Sequence, residues 1–150
     1  MTITVRPADP RSDEGTALLL ASQAYMRSLY PPEDNHFLSI DALCAPGIRF
    51  FVAQEDGRAL GCAALALRGD YGEVKSMFVD PIARGSGTGA ALMAALEAAA
   101  RAEGLAVMRL ETGDDLYPAH RLYQRHGFTR CGPFGDYDEG PHSVFMEKRL

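Results

Sequence analysis

The sequence predicts an α/β protein built on one mixed sheet, and three observations carry that prediction. Three strand-like runs follow one another between residues 48 and 79. A glycine-rich turn then feeds an alanine-rich helix, and two further strand-like runs close the chain after a short helix. The order is strand, helix, helix, three strands, helix, strand, helix, two strands. That order implies hairpins at both ends of a mixed sheet, and a doubly wound parallel sheet would instead alternate strand and helix throughout.

Each element has a local reason. Thr2 to Arg6 alternates as a short strand does. Asp9 before Pro10 predicts a helix start, since Asp caps free amides and Pro suits the first helical position. Leu18, Ser22, Tyr25 and Leu29 recur at helical spacing, and Pro31-Pro32 stops the run. A second short helix is expected from Ile40 to Cys44. Ile48 to Gln54, Ala59 to Leu67 and Tyr71 to Val79 are the three strands, turned at Glu55-Asp56-Gly57-Arg58 and Gly69-Asp70. Pro81 donates no ladder hydrogen bond, so pairing ends there. Ala90 to Glu103 is rich in the strongest helix former, with Glu97 and Arg101 four apart and Gly104 as its stop. Leu105 to Thr112 is a strand. Ala119, Leu122, Tyr123 and His126 share a face of a short helix ended by Gly127, and Phe128 to Cys131 and Ser143 to Lys148 are the last strands.

The 150 residues fit one domain, 1–150, with 47% hydrophobic and 23% charged residues, which argues against disorder and coiled coil. No run approaches the roughly 20 apolar residues of a membrane span. The first residues lack the pattern of a secretion signal, so the expectation is a soluble cytoplasmic protein with no membrane partner. A net charge of -5 argues against a nucleic-acid partner, which needs a cationic footprint. Cys44, Cys62 and Cys131 are far apart, which predicts reduced core residues and no metal site, disulfide framework or covalent acyl-cysteine.

The turn after Val79 is the most informative segment. Gly85, Gly87 and Gly89 let backbone amides converge where a helix begins, which makes an anion site suited to a pyrophosphate, with Arg84 as a fixed charge. A glycine-rich connector that binds nothing is the plain alternative. Gly85-x-Gly87-x-x-Ala90 also fits a dinucleotide fingerprint, yet three or four strands precede it and only 61 residues follow Gly89. A P-loop would need Gly-Lys-Ser/Thr, and no Lys is present in this turn.

Val79-Asp80-Pro81-x-x-Arg84-Gly85-x-Gly87-x-Gly89-x-x-Leu92 resembles the acetyl-CoA pyrophosphate motif of the GNAT acyltransferase superfamily. Ala119-x-x-Leu122-Tyr123-x-x-x-Gly127-Phe128 is similar to that family's next helix and strand. One departure is Leu116, where family members often carry an Asn that contacts CoA. The tail from Pro133 to Lys148 resembles a bacterial subgroup whose acceptors are often unassigned.

The resemblance implies a GNAT-like fold with splayed central strands and an N-acetyltransferase that uses acetyl-CoA as cosubstrate. A small-molecule or peptide amine is then the acceptor, transfer is direct within a ternary complex, and homodimers are common in the fold. A non-catalytic acyl-CoA-binding or sensor module on the same scaffold is the alternative. It further implies cofactor contacts from the backbone of Met77, Phe78 and Val79 and from Arg84, Gly85, Ser86, Gly87, Thr88 and Gly89, with the Val79 amide donating to the thioester carbonyl. Tyr123, beside the sulfur, is implied as the acid that protonates the leaving thiolate, against its reading as a core tyrosine. Glu73 resembles the catalytic glutamate of some members and by alternation should share a face with Lys75, Met77 and Val79; the alternative is a strand carboxylate paired with Lys75. Glu111, Asp114, Asp115, Asp136, Asp138 and Glu139 are either an acceptor wall for a cation or solvated loop residues, and Tyr30, Pro31 and Pro32 lie where members form part of that wall.

Overall fold

A computed structural model describes residues 2–150. Seven strands form one sheet: β1 (Thr4–Pro7), β2 (Ile48–Glu55), β3 (Arg58–Leu67), β4 (Gly72–Val79), β5 (Val107–Gly113), β6 (Thr129–Cys131) and β7 (Ser143–Arg149). Their order is β1-β2-β3-β4-β5-β7-β6. Only the β4–β5 pair is parallel, and it holds at Gly72↔Met108 and Glu73↔Arg109 alone. Beyond Glu73 the two central strands part, which is the splay that the site occupies.

The four helices are α1 (Asp13–Leu29), α2 (Ile40–Leu43), α3 (Thr88–Ala102) and α4 (Tyr117–Arg125). α1 and α2 cover one face, where Leu18, Leu19 and Leu43 pack on Phe50, Val52, Cys62 and Ala64. α3 and α4 cover the other, where Leu92, Met93, Leu96 and Tyr123 pack on Ala63, Leu65, Met108 and Leu110. β3 is buried on both faces, and its alanines let helices approach from either side. On the α1 face no helix covers β5 and β7; the 132–142 segment does so with Phe134 and Tyr137 packed around Phe145, ring centroids 5.8 and 5.6 Å away.

The element order and types agree with the sequence, and several details differ. β1 runs Thr4–Pro7, not Thr2–Arg6. α1 begins at Asp13, with Ser12 as its cap, the Ser12 hydroxyl oxygen accepting from the Gly15 amide at 3.1 Å. Asp9 serves one turn earlier, its carboxylate accepting from the Arg11 amide at 2.9 Å. The buried stripe of α1 is Gly15, Leu18, Leu19 and Gln23, while Tyr25 and Leu29 are exposed. The second half of α1 overhangs the parting strands, so Ser22 and Met26 face a pocket there instead of packed sheet.

The largest correction is in β4. Ser76 has φ 54° and inserts an extra residue opposite β3, so Ala64 pairs with Lys75 but Cys62 pairs with Phe78. A bulge of this kind inverts the alternation beyond it. Glu73 and Lys75 therefore face the α1 side, whereas Met77 and Val79 pack with the α3-side cluster. The expected shared face of Glu73 and Val79 is absent.

Candidate active site

The glycine turn is built as an open cradle. Asp80 accepts from the Ile82 amide and caps one 3-10 turn, Pro81–Ala83, which leads into the glycines. Gly85 and Gly87 have φ of 78° and 91°, in the left-handed region that side chains disfavour, with open space where a Cβ would be. Gly89 is different: it is helical, and a Cβ there would meet Leu122 of α4 at 3.1 Å. Ser86 donates to the Ala83 carbonyl and lies 2.7 Å from the Thr88 hydroxyl, while Thr88 is buried. These two side chains brace the loop from inside. The first amides of α3 have no acceptor within the helix, and Arg84 is exposed with no ion-pair partner among the described residues.

The gap between β4 and β5 forms a narrow pocket of about 110 Å³. Its walls include Lys75, Ser76 and Met77 of β4, Glu111 and Thr112 of β5, and Leu116, Ala119 and Tyr123 from α4 and its cap. Asp80 donates its amide to the Leu60 carbonyl at 2.8 Å, which makes Leu60/Asp80 a hydrogen-bonded pair. The neighbouring pair, Gly61/Val79, is then the non-hydrogen-bonded one, so the Val79 amide projects away from β3 toward the gap.

Tyr123 and Glu111 are two of the titratable groups that line the gap. Burial raises the Tyr123 phenol above its ordinary value, and the Glu111 charge raises it further. Burial likewise raises the Glu111 carboxyl, offset in part by the Ser143 hydroxyl, which donates to Glu111 Oε2 at 2.9 Å. The same surroundings thus hold the phenol neutral while a carboxylate beside it has a pKa above the ordinary range. A phenol kept as a proton donor beside a carboxylate of raised pKa is a pairing suited to acid and base work. The sequence leaves Glu111 among acids that either wall an acceptor site or sit in solvated loops; its place within the predicted strand Leu105 to Thr112 was the available signal.

Glu73 lies deeper and is fully engaged. The Tyr137 hydroxyl donates to its Oε2 at 2.6 Å, Arg68 Nε donates to its Oε1 at 3.1 Å, and Lys75 Nζ stands 3.6 Å away. Lys75 Nζ also donates to the His36 carbonyl at 2.8 Å and to the Tyr137 hydroxyl at 2.9 Å. Burial lowers the Lys75 ammonium, with Glu73 opposing that shift. This buried cluster ties the segment after α1 and the 132–142 segment to β4.

Other residues complete the far end. Tyr30 is buried, donates to Asp115 Oδ1 at 3.2 Å, and lines the gap together with His36 and His142. Pro31 and Pro32 are exposed, and neither lines the gap. His120, without an assigned partner in the sequence, is buried and donates from Nε2 to the Gly113 carbonyl at 2.7 Å. His126 is half-buried, 3.9 Å from Glu97. A Cβ at Gly113 would fall 2.1 Å from the Tyr30 hydroxyl. Gly113→Ala should displace Tyr30 and cost about 1–3 kcal/mol, the usual range for overpacking, as read by urea denaturation. Among the described residues no group of three or more His, Cys, Asp or Glu side chains is placed to hold a metal ion.

Comparison with known proteins gives one answer. The model of the Acetyltransferase (GNAT) family matches residues 16–128. A protein of Azospirillum brasilense named IAA acetyltransferase is 45% identical over 152 residues, covering 99% of this chain and 98% of its own. A Klebsiella pneumoniae structure described as an acyl-CoA N-acyltransferase has 34% identity and a TM-score of 0.84, covering 99% and 98% of the two chains. A GNAT acetyltransferase of Elizabethkingia anophelis, solved with acetyl-CoA bound, shares the fold at a TM-score of 0.74 and 18% identity, covering 99% and 98%. With its cradle, its parted strands and these matches, the chain belongs to the GNAT family of acetyltransferases.

Proposed function

We propose that this acetyltransferase carries an acetyl group from acetyl-CoA directly to a primary amine within a ternary complex. The observation that carries the reading is the gap between β4 and β5, which has the glycine cradle at one end and both Tyr123 and Glu111 on its walls. The pyrophosphate is taken by the amides of Gly85 to Gly89 and by Arg84, since a helix start and a guanidinium both favour phosphate. Ser86 and Thr88 contribute backbone to that contact and use their hydroxyls to brace the loop. The pantetheine arm lies along the backbone of Met77, Phe78 and Val79. Leu116 lends an apolar wall at the position of the family asparagine.

The Val79 amide polarises the thioester carbonyl, and one such donor is worth about 3 kcal/mol in the transition state. An alkyl amine with a pKa near 10.4 arrives mostly protonated, so a base is needed. Glu111 takes that role. The sequence pointed to Glu73, but both its oxygens are occupied and it sits behind Lys75, which suits it to hold the acceptor side in shape. The amine nitrogen attacks the carbonyl carbon, the C–S bond breaks, and Tyr123 gives its proton to the thiolate. Burial pushes the Cys62 thiol up to about 12, which disfavours a thiolate nucleophile and an acyl-enzyme route. The acid–base pair on the gap weighs against a purely binding role.

Calorimetric titration with acetyl-CoA, with NADH and ATP as controls, tests the cofactor assignment. Selective binding of acetyl-CoA is expected, and no binding would overturn the reading. Gly87→Trp should weaken acetyl-CoA at least about 100-fold, because a bulky residue at φ 91° distorts the cradle; unchanged affinity would remove the pyrophosphate assignment.

A further inference from the structure

A second cavity, of about 420 Å³, adjoins the reaction gap and shares His36, Phe37 and Lys75 with it. It falls within the size range of small-molecule sites. Rings of Phe37, Tyr71 and Tyr137 bound it, and its charged groups are Arg68, Glu73, Lys75 and the exposed Asp136. What decides its preference is which of these charges are already engaged.

Glu73 is saturated by Tyr137, Arg68 and Lys75. Lys75 uses its ammonium on the His36 carbonyl and the Tyr137 hydroxyl. Arg68 uses only Nε; its two terminal nitrogens have no hydrogen-bond or ion-pair partner among the described residues, and its side chain is 38% exposed. The buried pair Lys75 and Glu73 thus lies between the exposed Arg68 and the exposed Asp136, and an open guanidinium fork remains at Arg68. That fork matches a carboxylate in two parallel hydrogen bonds, whereas a cationic acceptor would find its only inner counter-charge already occupied.

We infer that this cavity holds the body of the acceptor, and that the acceptor is an amine carrying a carboxylate on an aromatic or apolar frame, as a free hydrophobic amino acid does. The carboxylate pairs with the terminal nitrogens of Arg68, the apolar part lies among Phe37, Tyr71 and Tyr137, and the amine points past Lys75 toward Glu111. The formal charges lining the cavity balance, Arg68 and Lys75 against Glu73 and Asp136, so the selective element is the unengaged fork of Arg68 and not a net charge. The inference rests on the proposed reaction in the adjoining gap.

The test measures thiol release from acetyl-CoA with L-phenylalanine and L-leucine, each beside its methyl ester and its decarboxylated amine. At least about a tenfold higher kcat/KM is expected for the free acids. Arg68→Gln should remove that preference by raising KM for the acids at least about tenfold more than for the decarboxylated amines, with kcat for the acids nearly kept. Calorimetry of N-acetyl-L-phenylalanine with the CoA-loaded protein reads the same contact without turnover, and Arg68→Gln should abolish it. Equal or better use of the esters or amines would overturn the inference. So would a uniform loss across all probes in Arg68→Gln, or no turnover of either acid together with no binding of the acetylated product. Failure to bind acetyl-CoA at all would instead strike the proposed reaction, and the two failures are therefore distinct.

Discussion

Glu111→Gln should lower kcat by about 10²–10³-fold, within the range for removal of a general base, and leave the affinity for acetyl-CoA within about threefold. The amide keeps the shape of the carboxylate and can still accept from the Ser143 hydroxyl, so the gap keeps its walls. What it loses is the ability to take a proton from the acceptor amine. The same change should raise stability near neutral pH. The folded-state pKa of Glu111 is raised by burial, so the folded chain binds that proton more tightly than the unfolded chain does. Stability tied to this group is then full below the ordinary carboxylate pKa and falls as pH rises through the folded value. A neutral isostere escapes that loss, so the melting temperature of the variant should exceed that of the parent at pH 7, with the difference closing under acid. In the parent, kcat/KM should climb as pH rises through the Glu111 pKa, and this limb should vanish in the variant. Retained turnover in Glu111→Gln would end the assignment.

Much of this site was legible because it depends on residues with narrow backbone demands. Gly85 and Gly87 take left-handed conformations in a strand-to-helix turn, and Asp56-Gly57, both at positive φ, form the tight hairpin turn between β2 and β3. Such positions leave a mark in the sequence. Ser76 leaves none, because a serine at φ 54° inside Glu73-Val-Lys-Ser-Met-Phe-Val79 interrupts no visible pattern. The run reads as unbroken alternation, yet a bulge moves Val79 to the opposite face from Glu73 just past the point where β5 leaves β4. The separation of Glu73 from the face of Val79 follows from that one residue. The exposure of Tyr25 and Leu29 has a similar origin, since helical spacing says which side chains align but not where the sheet beneath them ends. The start of α1 differs for a local reason: Asp9-Pro10 satisfies the capping rules that predict a start there, and the chain path places the cap at Ser12.

Tyr123→Phe should slow turnover about 10²-fold or more with acetyl-CoA affinity nearly unchanged, because the ring remains packed against Phe128 and only the proton donor is lost. The phenol suits this work for two reasons in its surroundings. Burial and the Glu111 charge both raise its pKa, so it stays protonated throughout the neutral range and is ready when the C–S bond breaks. The departing CoA thiolate, with a thiol pKa near 8.5, would otherwise draw its proton from water in a gap of about 110 Å³. A merely structural tyrosine and a proton donor predict different responses to the leaving group. Replacing the acetyl-CoA sulfur by selenium gives a far more acidic leaving group that needs little protonation. If Tyr123 is the acid, the variant should regain most of its lost rate with the seleno ester, while the parent gains little. An equal deficit with both esters would assign Tyr123 to packing and leave solvent as the proton source. The double variant Glu111→Gln, Tyr123→Phe adds a further check. Removal of Glu111 takes away one cause of the raised phenol pKa, so a loss in the double variant smaller than the product of the single losses would report that the two groups act as one coupled pair across the gap.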